Sequence, residues 1–275
     1  MLCCTVILSA HVFSQKIEHY KDKELCSCKG VTDSSLDTWQ NIIDTATFKK
    51  PYTAIVHLGY KQYGDNREHY CTASFVAKNF LITALHCMVD STKIEYIDLK
   101  VPDIKSRKWV RLYKGEFEMY YYSWNRVSAA NDMGLLKITK TKKASQVYRS
   151  HFTVADFNAD KHDSLRVNIS GFPCLRFCYT ESCMDTLVNR YADKRDIKIN
   201  AAGVCMDVPR LACSGDSGSP VWYESAGKYF IIGTVFGACL QSEGFNNLPD
   251  HTMAVMINAD KIKWIQSVIN NKIKN

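Results

Sequence analysis

The chain has 275 residues, enough to bury a sizeable core as one large all-β unit or two smaller ones. Hydrophobic residues make up 46% and charged ones 23%, the balance of an ordinary globular protein. The net charge of +7 comes from scattered lysines, apart from Lys140, Lys142 and Lys143 and the C-terminal tail. With no aromatic-interleaved basic stripe, that charge argues against a nucleic-acid partner.

Residues 1–14, MLCCTVILSAHVFS, hold an apolar run free of Lys, Arg, Asp and Glu, and Val12 and Ser14 suit a cleavage before Gln15. The pattern is that of a secretory signal peptide whose positive n-region is only the amino terminus itself. No later run is long enough to cross a membrane, so the expected mature protein is secreted and soluble, without a membrane partner. Residues 15–50 are polar and read as an N-terminal extension or pro-segment, with a candidate short helix at SSLDTWQNIID and no clear strand.

Of twelve cysteines, Cys3 and Cys4 leave with the signal, and the even remainder suits disulfides in an oxidising compartment. Cys26 and Cys28 are closely spaced, as are Cys174, Cys178 and Cys183, but neither group matches a common zinc pattern. No metal or cofactor is expected.

From Pro51 onward the pattern is β. YTAIVHLGY, TASFVAKNFLITAL, IEYIDLKV, KWVRLY, MGLLKIT, SLRVNISGF, GSPVWYES, KYFIIGTVFG and TMAVMI are short runs rich in β-branched and aromatic residues. Turn signals such as YGDN, FPC, ESAGK and SEGFNNLPD separate several of them. Many short strands without interleaved helices point to a barrel or sandwich. The polar stretch 139–150 reads as the crossing between two halves. At the end, Asn258 is placed to cap a helix through ADKIKWIQSVINNKI, with Ile262, Ile265 and Ile269 on one face.

Three segments carry chemistry. In CSGDSGSPVW, Gly215 and Gly218 permit backbone angles that side chains forbid, so Asp216 and Ser217 sit in a tight turn able to aim N–H groups at one point. TALHC carries His86, and NDMGLLKI opens with Asn131 and Asp132 ahead of an apolar strand. Acyl transfer by a serine needs a base within reach and an acid that fixes the tautomer of that base. His86, Asp132 and Ser217 are those types, in the order His, Asp, Ser. Singly, each has an ordinary structural explanation; together they do not. An α/β-hydrolase would need Gly-x-Ser-x-Gly between strand and helix with the histidine last, and here the histidine comes first.

TALHC, NDMGLLKI and GDSGSP resemble the three signatures of trypsin-like, chymotrypsin-fold serine proteases, and ISGFP and the C-terminal IKWIQSVI extend the likeness over most of residues 51–275. GFP followed by GDSGSPVW leans toward the glutamyl-endopeptidase-like branch. The resemblance implies an all-β fold of two six-stranded antiparallel β-barrels with a C-terminal α-helix. It implies a monomeric serine endopeptidase acting on protein or peptide substrates and open to protein inhibitors. Ser217 would be the nucleophile, His86 the base and Asp132 its orienting acid, with the N–H groups of Gly215 and Ser217 as oxyanion hole. It also implies disulfides Cys71–Cys87 and Cys213–Cys239, and pairs Cys205 with one of Cys174, Cys178 or Cys183. The alternative is a catalytically inactive homologue acting as a secreted binding protein, since fold alone does not give function.

The same resemblance places Leu211 at the base of the primary pocket, with Ala212, Val235, Phe236 and Gly237 around it. A buried Leu supplies no carboxylate for Lys or Arg, and Val235 stands where the glutamyl-specific branch carries its histidine, so uncharged, apolar residues are expected before the cut bond; a shift of one position would instead bring Asp207 to the pocket. Asp216 is the acid that zymogens of this family pair with a new amino terminus, yet no IVGG-like segment precedes the domain. Finally, NIS at 168–170 is a formal glycosylation acceptor inside an apolar strand, where occupancy is not expected.

Overall fold

The computed structural model describes residues 40–41, 49–65, 68–88, 91–101, 108–122, 131–157, 166–173, 187–193, 197–199, 205–208, 215–239 and 251–271. A two-residue strand, β1 (Gln40–Asn41), stands ahead of the main body. The first sheet follows as β2 (Ile55–Gln62), β3 (Glu68–Ala77), β4 (Phe80–Thr83), β5 (Ile94–Val101), β6 (Lys108–Tyr113), β7 (Phe117–Tyr121) and β8 (Gly134–Ile138). These pair antiparallel in the order β6-β5-β2-β3-β4-β8-β7.

The two edges of that sheet, β6 and β7, are consecutive in the chain, joined through residues 114–116 with Gly115 at φ +88°. Strands so connected force the sheet to curl on itself. Seven strands stand where six were expected, with β6 and β7 on either side of this turn pairing with different neighbours. The curl encloses Phe75, Leu81, Leu99 and Leu112, all fully buried, while Ile82 and Leu135 pair on the opposite face. Each removes enough apolar surface from water to contribute roughly 2–3 kcal/mol.

The connection after β8 holds a short helix, α1 (Thr141–Val147), where the sequence reading expected only a polar crossing. Lys, Ala and Gln are good helix formers, and Ala144 and Val147, three apart, give the helix its one buried face. Lys143 ties it back to the first sheet through Glu116 and the Arg111 carbonyl.

The second sheet comprises β9 (Thr153–Val154), β10 (Arg166–Gly171), β11 (Val188–Asp193), β12 (Lys198–Ile199), β13 (Cys205–Val208), β14 (Pro220–Ser225), β15 (Lys228–Cys239) and β16 (His251–Met256), together with β1. Its order is β1-β11-β10-β14-β15-β16-β13-β12, with β9 parallel on β15. Of its nine strands, β1, β9 and β12 are two-residue pieces, and the remaining six carry the sheet. Gln40 and Asn41 fall inside the candidate helix SSLDTWQNIID but pair with Asn189 and Val188 instead. The open edge of β11 offers unpaired backbone groups, and extended chain satisfies them. The β14–β15 hairpin turns on Ala226 and Gly227, both at positive φ as a two-residue primed turn requires.

A hydrogen-bonded chain runs through the second sheet. The Trp222 indole N–H donates to the Ser170 hydroxyl, which donates to Asn189, whose amide donates to Asn168. Asn168 and Ser170 of the NIS sequence are therefore buried and engaged, leaving no room for a glycan in the folded chain. The end is helical: in α2 (Ala259–Ile269), Asn258 accepts from the Lys261 N–H as N-cap, Ile265 and Val268 are buried, and Asn271 at φ +56° closes the helix.

Candidate active site

His86 sits in a single 3-10 turn, Leu85–Cys87, directly after β4. That turn is held from behind by a disulfide between Cys87 and Cys71 of β3. Asp132 lies just ahead of β8, where buried Met133 anchors the chain and Gly134 leaves space for the Met88 side chain, a Cβ there falling 2.5 Å from its sulfur. One carboxylate oxygen of Asp132 accepts the His86 backbone N–H at 2.8 Å, and the other meets His86 Nδ1 at 2.6 Å. A carboxylate only accepts, so Nδ1 carries the proton and the neutral ring keeps its lone pair on Nε2. The His86 side chain retains 31% exposure while that of Asp132 keeps 15%, so the ring is open to solvent on one side and its partner is shielded.

Burial pulls the pKa of His86 down, but the charge of Asp132 and its hydrogen bond outweigh this, and the ring ends above its ordinary value. The pair is thus set to stabilise an imidazolium once a proton arrives.

The turn that carries Ser217 is shaped by glycines. Gly215 and Gly218 adopt φ +93° and +82°, as their place in the loop demanded. A Cβ on Gly218 would lie 2.1 Å from both the Thr72 carbonyl and the Thr83 hydroxyl and 3.0 Å from the Ala84 nitrogen. The loop therefore rests on the middle of β3 and the end of β4, where Ala84 is two residues from His86. The N–H of Gly218 donates to Val235, the N–H of Val235 to Ser219, and the N–H of Ser219 to Asp216, fixing the turn against β15. Asp216 is fully buried, and Gly171 makes room for it: a Cβ there would fall 2.6 Å from its carboxylate and 1.9 Å from the Ser219 hydroxyl. Among the described residues, no acceptor takes the N–H of Gly215 or of Ser217.

Sequence reasoning passed over Thr72, which is fully buried in β3. Its N–H donates to the Ser217 carbonyl at 2.8 Å, and its hydroxyl donates to the Gly215 carbonyl at 2.9 Å. That hydroxyl also accepts from the Phe172 N–H at 3.1 Å, and the Thr83 hydroxyl donates to the Thr72 carbonyl. Adjacency to Cys71 was the available signal.

The ligand atoms of Cys71, His86 and Cys87 lie within 4.8 Å of one another, but the two sulfurs are bonded to each other and offer no thiolate to a metal. Of the expected pocket residues, Val235 and Phe236 are buried on opposite sides of β15, each packed in a different apolar cluster, and Gly237 follows at a β-bulge. Leu211, Ala212 and the Cys213–Cys239 bridge lie outside the described residues, as do the pairings of Cys26, Cys28, Cys174, Cys178, Cys183 and Cys205. Asp207 belongs to β13 and pairs with Met253.

The family model described as Trypsin matches residues 44–262. Among solved structures, a Glu endopeptidase is similar at 15% identity with a TM-score of 0.59, covering 84% of this chain and 96% of that one. The protease Anisep from Arthrobacter nicotinovorans is similar at 13% identity and TM-score 0.54, covering 81% and 96%. An inactivated protease paralogue of the scabies mite matches at 15% identity and TM-score 0.55, again over 81% and 96%. At these identities the structural likeness concerns the fold.

Proposed function

The chain belongs to the trypsin family of serine endopeptidases, and on that premise we propose that Ser217, His86 and Asp132 are its catalytic triad. The two-oxygen grip of Asp132 on the His86 backbone and ring is the observation that carries this reading. Ser217 Oγ attacks the scissile carbonyl and passes its proton to His86 Nε2; Asp132 stabilises the resulting imidazolium. The N–H groups of Gly215 and Ser217 receive the oxyanion. His86 then protonates the leaving amine, and water, deprotonated by the same ring, releases the acyl group.

The substrate is a secreted or extracellular protein or peptide, met after the signal peptide has been removed, and the enzyme acts as a monomer. Residues 15 to about 50 modulate its activity as a pro-segment or attached chain, with buried Asp216 as the responsive group. Val235 offers no charge to a substrate carboxylate, so cleavage follows uncharged, apolar residues. A peptide-library profile dominated by Arg, Lys or Glu at that position would refute the pocket and spare the triad.

The similarity to an inactivated paralogue favours keeping one rival: a binding protein on the same fold. A fluorophosphonate probe separates the two. The wild type should label and Ser217→Ala should not, with a loss of about 10⁴-fold or more in kcat/KM and an unchanged melting temperature. An unlabelled, correctly folded wild type would support the binding protein.

A further inference from the structure

We propose that Thr72 is a positioning residue that holds the nucleophile loop in its oxyanion-binding form. The proposal rests on the triad reading above and extends it to a side chain outside the triad.

The observation is a convergence on one buried residue. The Thr72 backbone N–H holds the carbonyl of Ser217, and its hydroxyl holds the carbonyl of Gly215. These two carbonyls flank Asp216 on either side. A peptide whose carbonyl is fixed has its orientation fixed, so the two bonds set how the backbone enters and leaves the turn. Gly215, at φ +93° and without a side chain, has little intrinsic preference to hold that conformation. Left to itself, the 215–216 peptide has room to rotate about the Gly215 and Asp216 Cα atoms, and that rotation disturbs the two adjoining peptides, which carry the Gly215 and Ser217 N–H groups. The Thr72 hydroxyl opposes that rotation.

The same hydroxyl is oriented from the other side. It accepts from the N–H of Phe172, which follows β10, so its single proton is directed to Gly215. One oxygen thereby links β3 of the first sheet, the segment after β10 and the nucleophile turn. The preceding residue, Cys71, is bonded to Cys87 beside His86. Two neighbouring residues of β3 thus register the base and the nucleophile against each other: Cys71 covalently, Thr72 by hydrogen bonds.

Thr72→Val keeps the shape and deletes the hydroxyl; Thr72→Ser keeps the hydroxyl. The Thr72→Ala and Thr72→Ser pair repeats the comparison should valine disturb folding. Acylation by 4-nitrophenyl acetate is followed in single-turnover mode, with Ser217→Ala as background. The valine variant should acylate roughly 10- to 100-fold more slowly with substrate binding held constant, the scale expected of a misplaced reacting group. Its pH profile should keep the wild-type midpoint, because His86 and Asp132 are untouched, and serine should recover most of the lost rate. Hydrogen exchange at the amides of residues 215–218 should rise in the valine and alanine variants and stay low in serine. Acylation within about threefold of wild type in both the valine and alanine variants would overturn the proposal, as would a loss that serine does not recover. If the wild type does not acylate at all, the triad reading fails, and amide exchange alone decides for Thr72: unchanged exchange on loss of the hydroxyl overturns the clamp.

Discussion

Both sheets mix hairpin neighbours with strands distant in sequence, but the first is packed around an apolar centre, whereas a hydrogen-bonded thread runs through the second. In the first, β2 meets β3, β3 meets β4, and Phe75, Leu81 and Leu99 fill the interior. In the second, Asn168 of β10 lies opposite Trp222 of β14, and the Trp222–Ser170–Asn189–Asn168 chain crosses between strands. Apolar packing tolerates approximate placement; a buried polar thread requires every donor to meet its acceptor. The proposed triad spans both designs, with His86 and Asp132 in the first and Ser217 delivered by the second.

The contrast can be broken by mutation. Phe75→Ala should cost the most, about 3–5 kcal/mol in chemical denaturation, because a large ring leaves a cavity in close-packed surroundings. Replacing Cys71 and Cys87 together by serine should cost about 3 kcal/mol by the chain-entropy argument, since the bridge spans 16 residues. That pair should also lower activity more than the stability loss explains, because it frees the His86 turn. Ser170→Ala should cost about 1–3 kcal/mol, leaving the Trp222 N–H and the Asn189 oxygen without their partner. If Ser170→Ala costs as much as Phe75→Ala, the distinction between the two interiors fails.

The smallest effect is on pH. The folded pKa of His86 lies above its ordinary value, so the protonated ring favours the folded state. That contribution is complete below about pH 6.5 and disappears as pH rises through the folded pKa. Activity runs the opposite way, because the base must be neutral: kcat/KM should rise with pH to a midpoint above about 6.5. A midpoint well below that, in a pH–rate profile, would remove Asp132 as the controlling partner.

How much of this was legible varies along the chain. IEYIDLKV and KWVRLY coincide with β5 and β6 residue for residue, because alternating β-branched and aromatic residues leave one reading. FEMYY and CMDV, now β7 and β13, were not singled out; they are short strands of five and four residues. Helix α1 escaped because only Ala144 and Val147 mark its buried face. At the site, the types and order of His86, Asp132 and Ser217 were readable, and so were the glycine angles at 215 and 218. Thr72 was not: its role lies in hydrogen bonds to Gly215, Ser217 and Phe172, far away in sequence, and no local pattern encodes them.

The division of the site between two sheets has a consequence during synthesis. A ribosome delivers the chain from its amino end, and domains fold as they emerge. His86, Asp132 and the Cys71–Cys87 bridge all precede the end of the first sheet at Ile138, so base and acid can be assembled while the serine is still unmade. A nascent or truncated chain of that length contains no nucleophile. The second sheet, whose β1–β11 and β9–β15 pairings span longer stretches of chain than any in the first, is the slower to close. Ser217 meets His86 only when that closure is complete, so on the proposed mechanism the cell that makes this protein does not meet a half-built protease.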